Sequence, residues 1–142
     1  MDYDATSFGN YGPPPVMVQA LMAKIHRATV TQADLHYEGS LSIDKNLLEA
    51  SGIRPYQAIA VYDITNGARF ETYAIEAEAN SGVIQVNGAA AHLTQPGNMI
   101  IIAAYCNVPY ETLDDNYQPT VVLVDSQNRP THINQKPALA LV

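Results

Sequence analysis

The alternation of short apolar runs with turn-forming residues constrains the fold of this chain more than any other feature. From Val16 onward, runs rich in β-branched and aromatic residues are interrupted about every 8 to 15 residues by clusters of Gly, Asn, Ser and Pro. The strand candidates lie at 17–31, which holds two of these runs, and at 57–64, 69–78, 83–86, 99–105 and 120–125. About six or seven short strands are typical of a small barrel or sandwich, so the chain is predicted to be mainly β.

Two local patterns predict elements between the strands. Asn66-Gly67 separates two apolar runs and can supply the positive φ of a tight hairpin turn. Asp44 can cap a helix over 45–51, and Gly52 can end it. A second, weaker helical turn is expected within 110–116.

Size and charge limit the classes of function. The 142 residues suffice for one domain, predicted at 17–142, and the Gly- and Pro-rich stretch at 1–16 is expected to be a flexible arm. The net charge of −7, with only seven Lys and Arg, disfavours a nucleic-acid partner, which requires clustered cations.

No apolar run approaches the roughly 20 residues of a membrane span, and the chain shows no signal-peptide pattern, so a cytoplasmic protein without a membrane partner is expected. The four scattered histidines and the single cysteine have no metal-ligand spacing, which predicts that no metal is bound.

The most informative stretch is K-I-H-R-A-T-V-T, starting at residue 24, followed by A-D-L-H-Y-E-G-S, which ends at Ser40. Taken alone, its last dipeptide would be an ordinary turn before a strand. Two further blocks follow in order, T-N-G-A-R-F-E-T-Y-A-I at 65–75 and N-G-A-A-A-H-L at 87–93. The three blocks and their spacing resemble the bacterial aspartate decarboxylase family over about residues 17–130, and such a combination is far more specific than a lone Gly-Ser.

The resemblance implies a small six-stranded double-psi β-barrel with short helices, a homotetramer with active sites between subunits, and self-cleavage between Gly39 and Ser40. In that reaction Ser40 Oγ attacks the Gly39 carbonyl carbon, an approach that a residue without Cβ permits. Elimination and hydrolysis then leave a pyruvoyl group on residue 40. The resemblance also implies that Thr72 donates a hydrogen bond to the developing oxyanion, with His26 and Tyr37 in supporting roles.

The implied reaction is the decarboxylation of L-aspartate to β-alanine, which feeds pantothenate and coenzyme A synthesis. A Schiff base between the substrate amine and the pyruvoyl ketone would accept the electrons that remain when carbon dioxide leaves. Because the pyruvoyl group does the work of pyridoxal phosphate, no external cofactor is expected.

Two carboxylates on the substrate require cations, and the resemblance assigns this role to Lys24 and Arg69. Without the resemblance, both residues would be interpreted as members of surface ion pairs. Small residues would let the substrate approach backbone N–H groups closely. This part of the site is expected from Gly88, Ala89 and Ala90, with Asn87 in a supporting role.

Tyr73 matches the family's proton donor to the carbanion, a role that a phenol can fill. In a regular strand Thr72 would point to the opposite side, so the two side chains would share one site only if the chain bends or the site lies between subunits. The sequence leaves this point open.

Two other functions stay open at this stage. The chain could decarboxylate another amino acid with the same cofactor, because the sequence does not fix the length of the pocket. It could also be an unprocessed, non-catalytic barrel that acts as a binding module, since one architecture supports many functions. The joint presence of Ser40, Lys24 and Tyr73 favours the enzyme.

Overall fold

The computed structural model describes residues 12–134 and 136–137, and this part of the chain is mainly β. Its strands are β1 (Met17–Thr29), β2 (Gln32–Asp34), β3 (Ser40–Asp44), β4 (Ala58–Asp63), β5 (Arg69–Ala77), β6 (Ile84–Asn87), β7 (Met99–Pro109), β8 (Thr120–Val124), β9 (Pro130–Ile133) and β10 (Lys136–Pro137). The helical elements are α1 (Lys45–Ser51) and two 3-10 helices, Gly88–His92 and Tyr110–Thr112. The predicted mainly β class with short helices is therefore confirmed.

The strands form one mixed sheet in the order β10-β9-β8-β1-β7-β4-β5-β3-β6-β2. Most neighbours are antiparallel, but β1 with β8, β3 with β5, and β2 with β6 are parallel. Six of the ten strands have five or more residues, and the other four have two to four. The sequence predicted the longer strands apart from β3, and it missed the short β2, β9 and β10.

The two runs within 17–31 lie in a single strand, β1. The chain contains β-bulges there and does not turn back. One register shift against β7 falls between Ile25 and Ala28, where His26 and Arg27 together face a single residue of the partner strand. Arg27 has φ 67°, an uncommon value for a residue with a side chain. The bulge bends β1 without ending it.

The strand β3 lies between β5 and β6 in the sheet and was not predicted. Its sequence S-L-S-I-D alternates polar and apolar residues, but all five residues are buried, so both faces of the strand are covered. It pairs in parallel with β5, with Leu41 opposite Ala74, and antiparallel with β6, with Ser40 opposite Asn87. Ser40 is therefore the first residue of a strand that is held on both sides.

The predicted helix and both of its caps are confirmed. The Asp44 carboxylate accepts a hydrogen bond from the Asn46 backbone N–H at 2.8 Å, and Gly52 ends the helix in the left-handed conformation at φ 79°. The same carboxylate accepts from the Gly82 N–H at 2.8 Å, which ties the helix start to the turn before β6. The helical turn predicted within 110–116 is reduced to the 3-10 helix Tyr110–Thr112.

The hairpin between β4 and β5 is confirmed, but its tight two-residue turn is wrong. The connection comprises residues 64–68, and within it only Gly67 has positive φ, at 80°. The Asp63 carboxylate accepts a hydrogen bond from the Asn66 backbone N–H at 3.0 Å, and this contact stabilises the wider loop.

Residues 1–11 of the predicted arm lie outside the described residues. Pro13 to Val16 are exposed and have no regular secondary structure, and the Val16 carbonyl accepts a hydrogen bond from the Tyr110 N–H at 2.8 Å. None of the helices in the described part of the chain has the length and apolarity that a membrane crossing requires. The cytoplasmic location stays a prediction.

Candidate active site

Ser40 is buried, with 1% of its surface exposed, and its hydroxyl is hydrogen-bonded in both directions. Its Oγ–H donates to the Glu38 carbonyl oxygen at 3.1 Å, and its Oγ accepts from Asn87 Nδ2 at 3.0 Å. Asn87 is in position to donate because the register of β3 and β6 places it directly opposite Ser40. The hydroxyl is thus fixed between a carbonyl before it in the chain and an amide on the neighbouring strand.

Asn87 is completely buried and makes two further hydrogen bonds. Its Nδ2 also donates to Ser42 Oγ at 3.0 Å, and its Oδ1 accepts from Gln85 Nε2 at 2.7 Å. The sequence predicted Asn87 but missed Ser42 and Gln85. Ser42 becomes a neighbour of Asn87 only through the register of two strands more than 40 residues apart in sequence, whereas Gln85 precedes Asn87 by two residues on the same strand.

Gly88 packs against the peptide unit before Ser40. A Cβ built on Gly88 would lie 2.7 Å from Gly39 Cα, 2.9 Å from Gly39 N and 3.1 Å from the Tyr37 carbonyl oxygen. Gly88 also has φ 73°, whereas Gly39 is outside the left-handed region and a Cβ there would meet nothing within 4 Å. In the uncleaved chain, the steric need for glycine therefore falls on Gly88 rather than on Gly39.

A cavity of about 370 Å³, here called the Ser40 cleft, opens beside this serine. Its lining residues are Tyr37, Glu38, Ser40, Pro55, Tyr56, Tyr73, Ile75 and Glu76. Ser40 and Tyr73 meet there because β3 and β5 are parallel neighbours, and both residues directly precede the pair of Leu41 and Ala74. Of the predicted site residues, the cleft brings Ser40, Tyr73 and Tyr37 together.

Sequence reasoning missed three lining residues with polar groups. Glu38 and Glu76 lie within or next to the matching blocks, but nothing in the pattern pointed to them. Tyr56 has no local signal either; it adopts φ 69° and stacks on Tyr73, with ring centroids 6.3 Å apart. This stacking limits the positions that the Tyr73 ring can take.

Thr72 is opposite Ile59 of β4 and is not among the residues that line the Ser40 cleft. Its neighbour Tyr73 lines the cleft, as the alternation of side chains along a strand requires. Within one chain, Thr72 and Tyr73 therefore do not share the cleft.

The two predicted cations also lie outside this cleft. Arg69 is four residues before Tyr73 on β5, about 13 Å away along the strand, and its guanidinium carbon lies 3.9 Å from the centre of the Tyr62 ring. The Tyr62 hydroxyl is hydrogen-bonded to that of Tyr105 at 2.8 Å. Lys24 is on β1, opposite Ala103 of β7. Among the described residues that line the Ser40 cleft, the charged ones are both carboxylates, Glu38 and Glu76.

His26 lines a different cavity of about 450 Å³, together with Arg27 and Asp125 among others. Its buried Nδ1 finds no hydrogen-bond partner within the described part of the chain. Burial, and then the positive charges of Lys24 and Arg27, lower the pKa of His26 below its ordinary value, which favours the neutral imidazole.

The remaining two predicted residues, Ala89 and Ala90, belong to the 3-10 helix that starts at Gly88. Ala89 is exposed, and Ala90 is half-buried against the hydrophobic core. Within one chain, the small residue nearest to Ser40 in this run is thus Gly88, which packs against Gly39.

Comparison with known proteins gives one consistent result. The family model described as aspartate decarboxylase matches residues 16–131. The chain is 58% identical over 113 residues to aspartate 1-decarboxylase of Caulobacter vibrioides, covering 80% of this chain and 95% of that protein. It is 57% identical over 113 residues to the Phenylobacterium zucineum protein of the same name, with the same shares covered. For the Stenotrophomonas maltophilia protein, also called aspartate 1-decarboxylase, identity is 54% over 114 residues, 80% of this chain and 90% of that protein.

Proposed function

The chain belongs to the aspartate decarboxylase family, and we propose its function on that basis. It is an aspartate 1-decarboxylase, a lyase that releases carbon dioxide from L-aspartate and leaves β-alanine for pantothenate synthesis. The observation from the structure that supports this function most directly is that Ser40 and Tyr73, from different strands, line one cleft. The activity predicted from the sequence is confirmed at this level.

We propose that residue 40 carries the pyruvoyl group in the mature enzyme and that the chain cleaves itself between Gly39 and Ser40. The surroundings of Ser40 support this proposal, because its hydroxyl is fixed by Asn87 and because Gly88, which has no Cβ, packs directly against the Gly39 end of the bond that is proposed to break. Residues 35–39 are exposed and outside regular secondary structure, so a new chain end there can leave without breaking the sheet. When present, the group supplies a ketone that condenses with the substrate amine and draws electrons from its α-carbon.

Tyr73 is the proposed proton donor to the α-carbon after carbon dioxide leaves. Its ring lines the Ser40 cleft and is held by stacking on Tyr56, which gives the phenol a defined position relative to residue 40. Thr72 stays the proposed donor to the oxyanion on Gly39, with Tyr37 as support.

We further propose that a second copy of the chain completes the cleft, within a homotetramer that has sites between subunits. L-aspartate has two carboxylates, yet the charged side chains that line the cleft are Glu38 and Glu76. Lys24 and Arg69 are the proposed carboxylate ligands, and they lie elsewhere on the same chain. At the mouth of the cleft Tyr56 is 79% exposed, a large apolar surface that a second copy would cover.

The proposed architecture is a double-psi β-barrel at 17–142, preceded by an arm at 1–16. The six longer strands are equal in number to those of the expected barrel. The parallel pair of β3 and β5 and the parallel pair of β1 and β8, combined with antiparallel neighbours, give the mixed pairing that such a barrel requires.

Intact-mass measurement of the purified protein tests the proposed maturation. We expect two fragments, 1–39 and 40–142, and addition of a carbonyl-trapping reagent to the second one only. The Ser40→Ala variant should keep its full mass and have no activity on L-aspartate. Cleavage of that variant, or an active wild-type enzyme that retains one full-length chain, would contradict the proposal.

A further inference from the structure

Four polar side chains lie on one face of the β3–β6 pair and form what we call the polar quartet. Ser40 is opposite Asn87, and Ser42 is opposite Gln85. Since side chains alternate along a strand, these four share a face, while the residues between them are apolar and buried. Ser40, Ser42 and Asn87 are 1%, 8% and 0% exposed, so the quartet is largely removed from water.

The hydrogen bonds of the quartet run in one direction. Gln85 Nε2 donates to Asn87 Oδ1 at 2.7 Å, and both N–H groups of Asn87 are used on Ser40 Oγ and Ser42 Oγ at 3.0 Å each. If the Asn87 amide alone turned over, its NH2 would face that of Gln85, and two donors repel each other. Gln85 thereby strengthens the orientation in which the Asn87 NH2 faces the serines, which Ser40 also favours because its own proton is donated to the Glu38 carbonyl oxygen.

The direction matters for Ser40 because the Oγ must lose its proton when it attacks. With Asn87 donating to it, the Ser40 oxygen is better able to carry negative charge. With the amide reversed, Asn87 Oδ1 would instead accept a hydrogen bond from the Ser40 hydroxyl and place its partial negative charge against the reacting oxygen. The oxygen would then be a poorer nucleophile.

We propose that Gln85 is a positioning residue for self-cleavage: it holds the Asn87 amide with its N–H toward Ser40 Oγ, which favours attack on the Gly39 carbonyl carbon. This inference rests on the proposed maturation of Ser40. Neither the family resemblance nor the sequence pattern assigns a role to Gln85.

The steps of maturation limit when Gln85 acts. The bond from Oγ to the Gly39 carbonyl carbon forms, the bond from that carbon to the Ser40 nitrogen breaks, and the hydroxyl proton is transferred through solvent to that nitrogen. The Cα proton then leaves, the bond from Cβ to Oγ breaks, and Oγ departs as part of the Gly39 carboxylate. The resulting dehydroalanine tautomerises to an imine as Cβ gains a proton, and water then adds to the imine carbon and displaces ammonia to give the ketone. The hydrogen bond from Asn87 to Oγ therefore exists only before maturation.

The Gln85→Glu variant tests the direction of the network. Its carboxylate has nearly the same shape but only accepts, so it repels Asn87 Oδ1 and favours the reversed amide, with NH2 toward position 85 and Oδ1 toward Ser40. We expect self-cleavage to slow by about tenfold or more, the effect of losing one hydrogen bond to the reacting atom and gaining an opposed one. Turnover of L-aspartate per trapped carbonyl group should equal that of the wild type.

Gln32→Glu is the matched control, because Gln32 is exposed on β2 and lies next to Gln85 in the parallel register. It adds the same charge to the neighbouring strand, and its cleavage rate should be that of the wild type. Gln85→Met removes the hydrogen bond to Asn87 Oδ1 but does not favour the reversed Asn87 amide. It should therefore slow cleavage less than Gln85→Glu. Cleaved fraction is followed by intact mass from freshly purified precursor.

A pH series separates positioning from damage to the fold. As pH falls and the carboxyl of the Gln85→Glu variant gains a proton, that group can donate again, so its cleavage rate should rise toward the wild-type rate at the same pH. Wild-type cleavage by Gln85→Glu at neutral pH, or an equal loss of maturation and turnover in it, would overturn the inference. A wild-type chain that never cleaves would instead refute the proposed maturation itself.

Discussion

Replacing Gly88 by alanine tests whether the Gly88 backbone sets the position of the peptide bond that is proposed to break. The new Cβ would be 2.7 Å from Gly39 Cα, so Gly39 must move by about 0.7 Å to reach the 3.4 Å at which ordinary contacts begin. A displacement near 1 Å of a reacting group can cost about a hundredfold in rate. We expect self-cleavage of Gly88→Ala to slow by about 10- to 100-fold.

The same substitution also forces a side chain onto φ 73°, which costs about 1–2 kcal/mol. Gly67→Ala separates this strain from the clash, because Gly67 has φ 80° and a Cβ there meets nothing within 4 Å. Both variants should lose about 1–2 kcal/mol of stability in urea unfolding from strain alone, and Gly88→Ala more from the clash. Only Gly88→Ala should mature slowly by intact mass. Wild-type maturation of Gly88→Ala, or equal slowing of both variants, would refute the steric reasoning.

Two further predictions concern turnover and assembly. Tyr73→Phe should cleave itself normally but decarboxylate L-aspartate about 10²- to 10⁴-fold more slowly, because only the later proton transfer is lost; unchanged steady-state turnover would exclude Tyr73 as donor. Co-expression of Ser40→Ala with Arg69→Ala, each inactive alone, should restore up to about a quarter of wild-type activity. If each site takes residue 40 from one chain and residue 69 from another, random pairing leaves both residues intact in about a quarter of the sites. No recovery in assembled mixtures would contradict sites between subunits.

The elements predicted best are those whose causes are local. The Asp44 cap and the Gly52 end of α1 lie within eight residues of each other, and both have the predicted geometry. The hairpin at Asn66-Gly67 was located correctly, but its width was wrong because the Asp63 carboxylate organises the loop, which the dipeptide does not report.

The elements missed are those whose causes are distant in the chain. The strand β3 has only five residues, S-L-S-I-D, and all of them are buried; its pairing with β5 and β6 is visible only in the folded sheet. The same holds for Ser42, whose contact with Asn87 follows from the register of β3 and β6. The close approach of Gly88 to Gly39 joins two glycines that, in the sequence, are each compatible with an ordinary turn.

The three sequence blocks at 24–40, 65–75 and 87–93 each contribute a residue that lies near the start of β3. The first block ends at Ser40, the second brings Tyr73 alongside through the parallel pairing of β5, and the third brings Asn87 opposite through the antiparallel pairing of β6. The spacing between the blocks therefore corresponds to the length of chain that is needed to place β5 and β6 on either side of β3. The cations of the first two blocks do not follow this rule, since Lys24 pairs with β7 and Arg69 stacks on Tyr62 at the far end of β5. If Lys24 and Arg69 bind the substrate carboxylates as proposed, a second copy of the chain must bring them to the Ser40 cleft, and the mixing of variants tests this step of the mechanism directly.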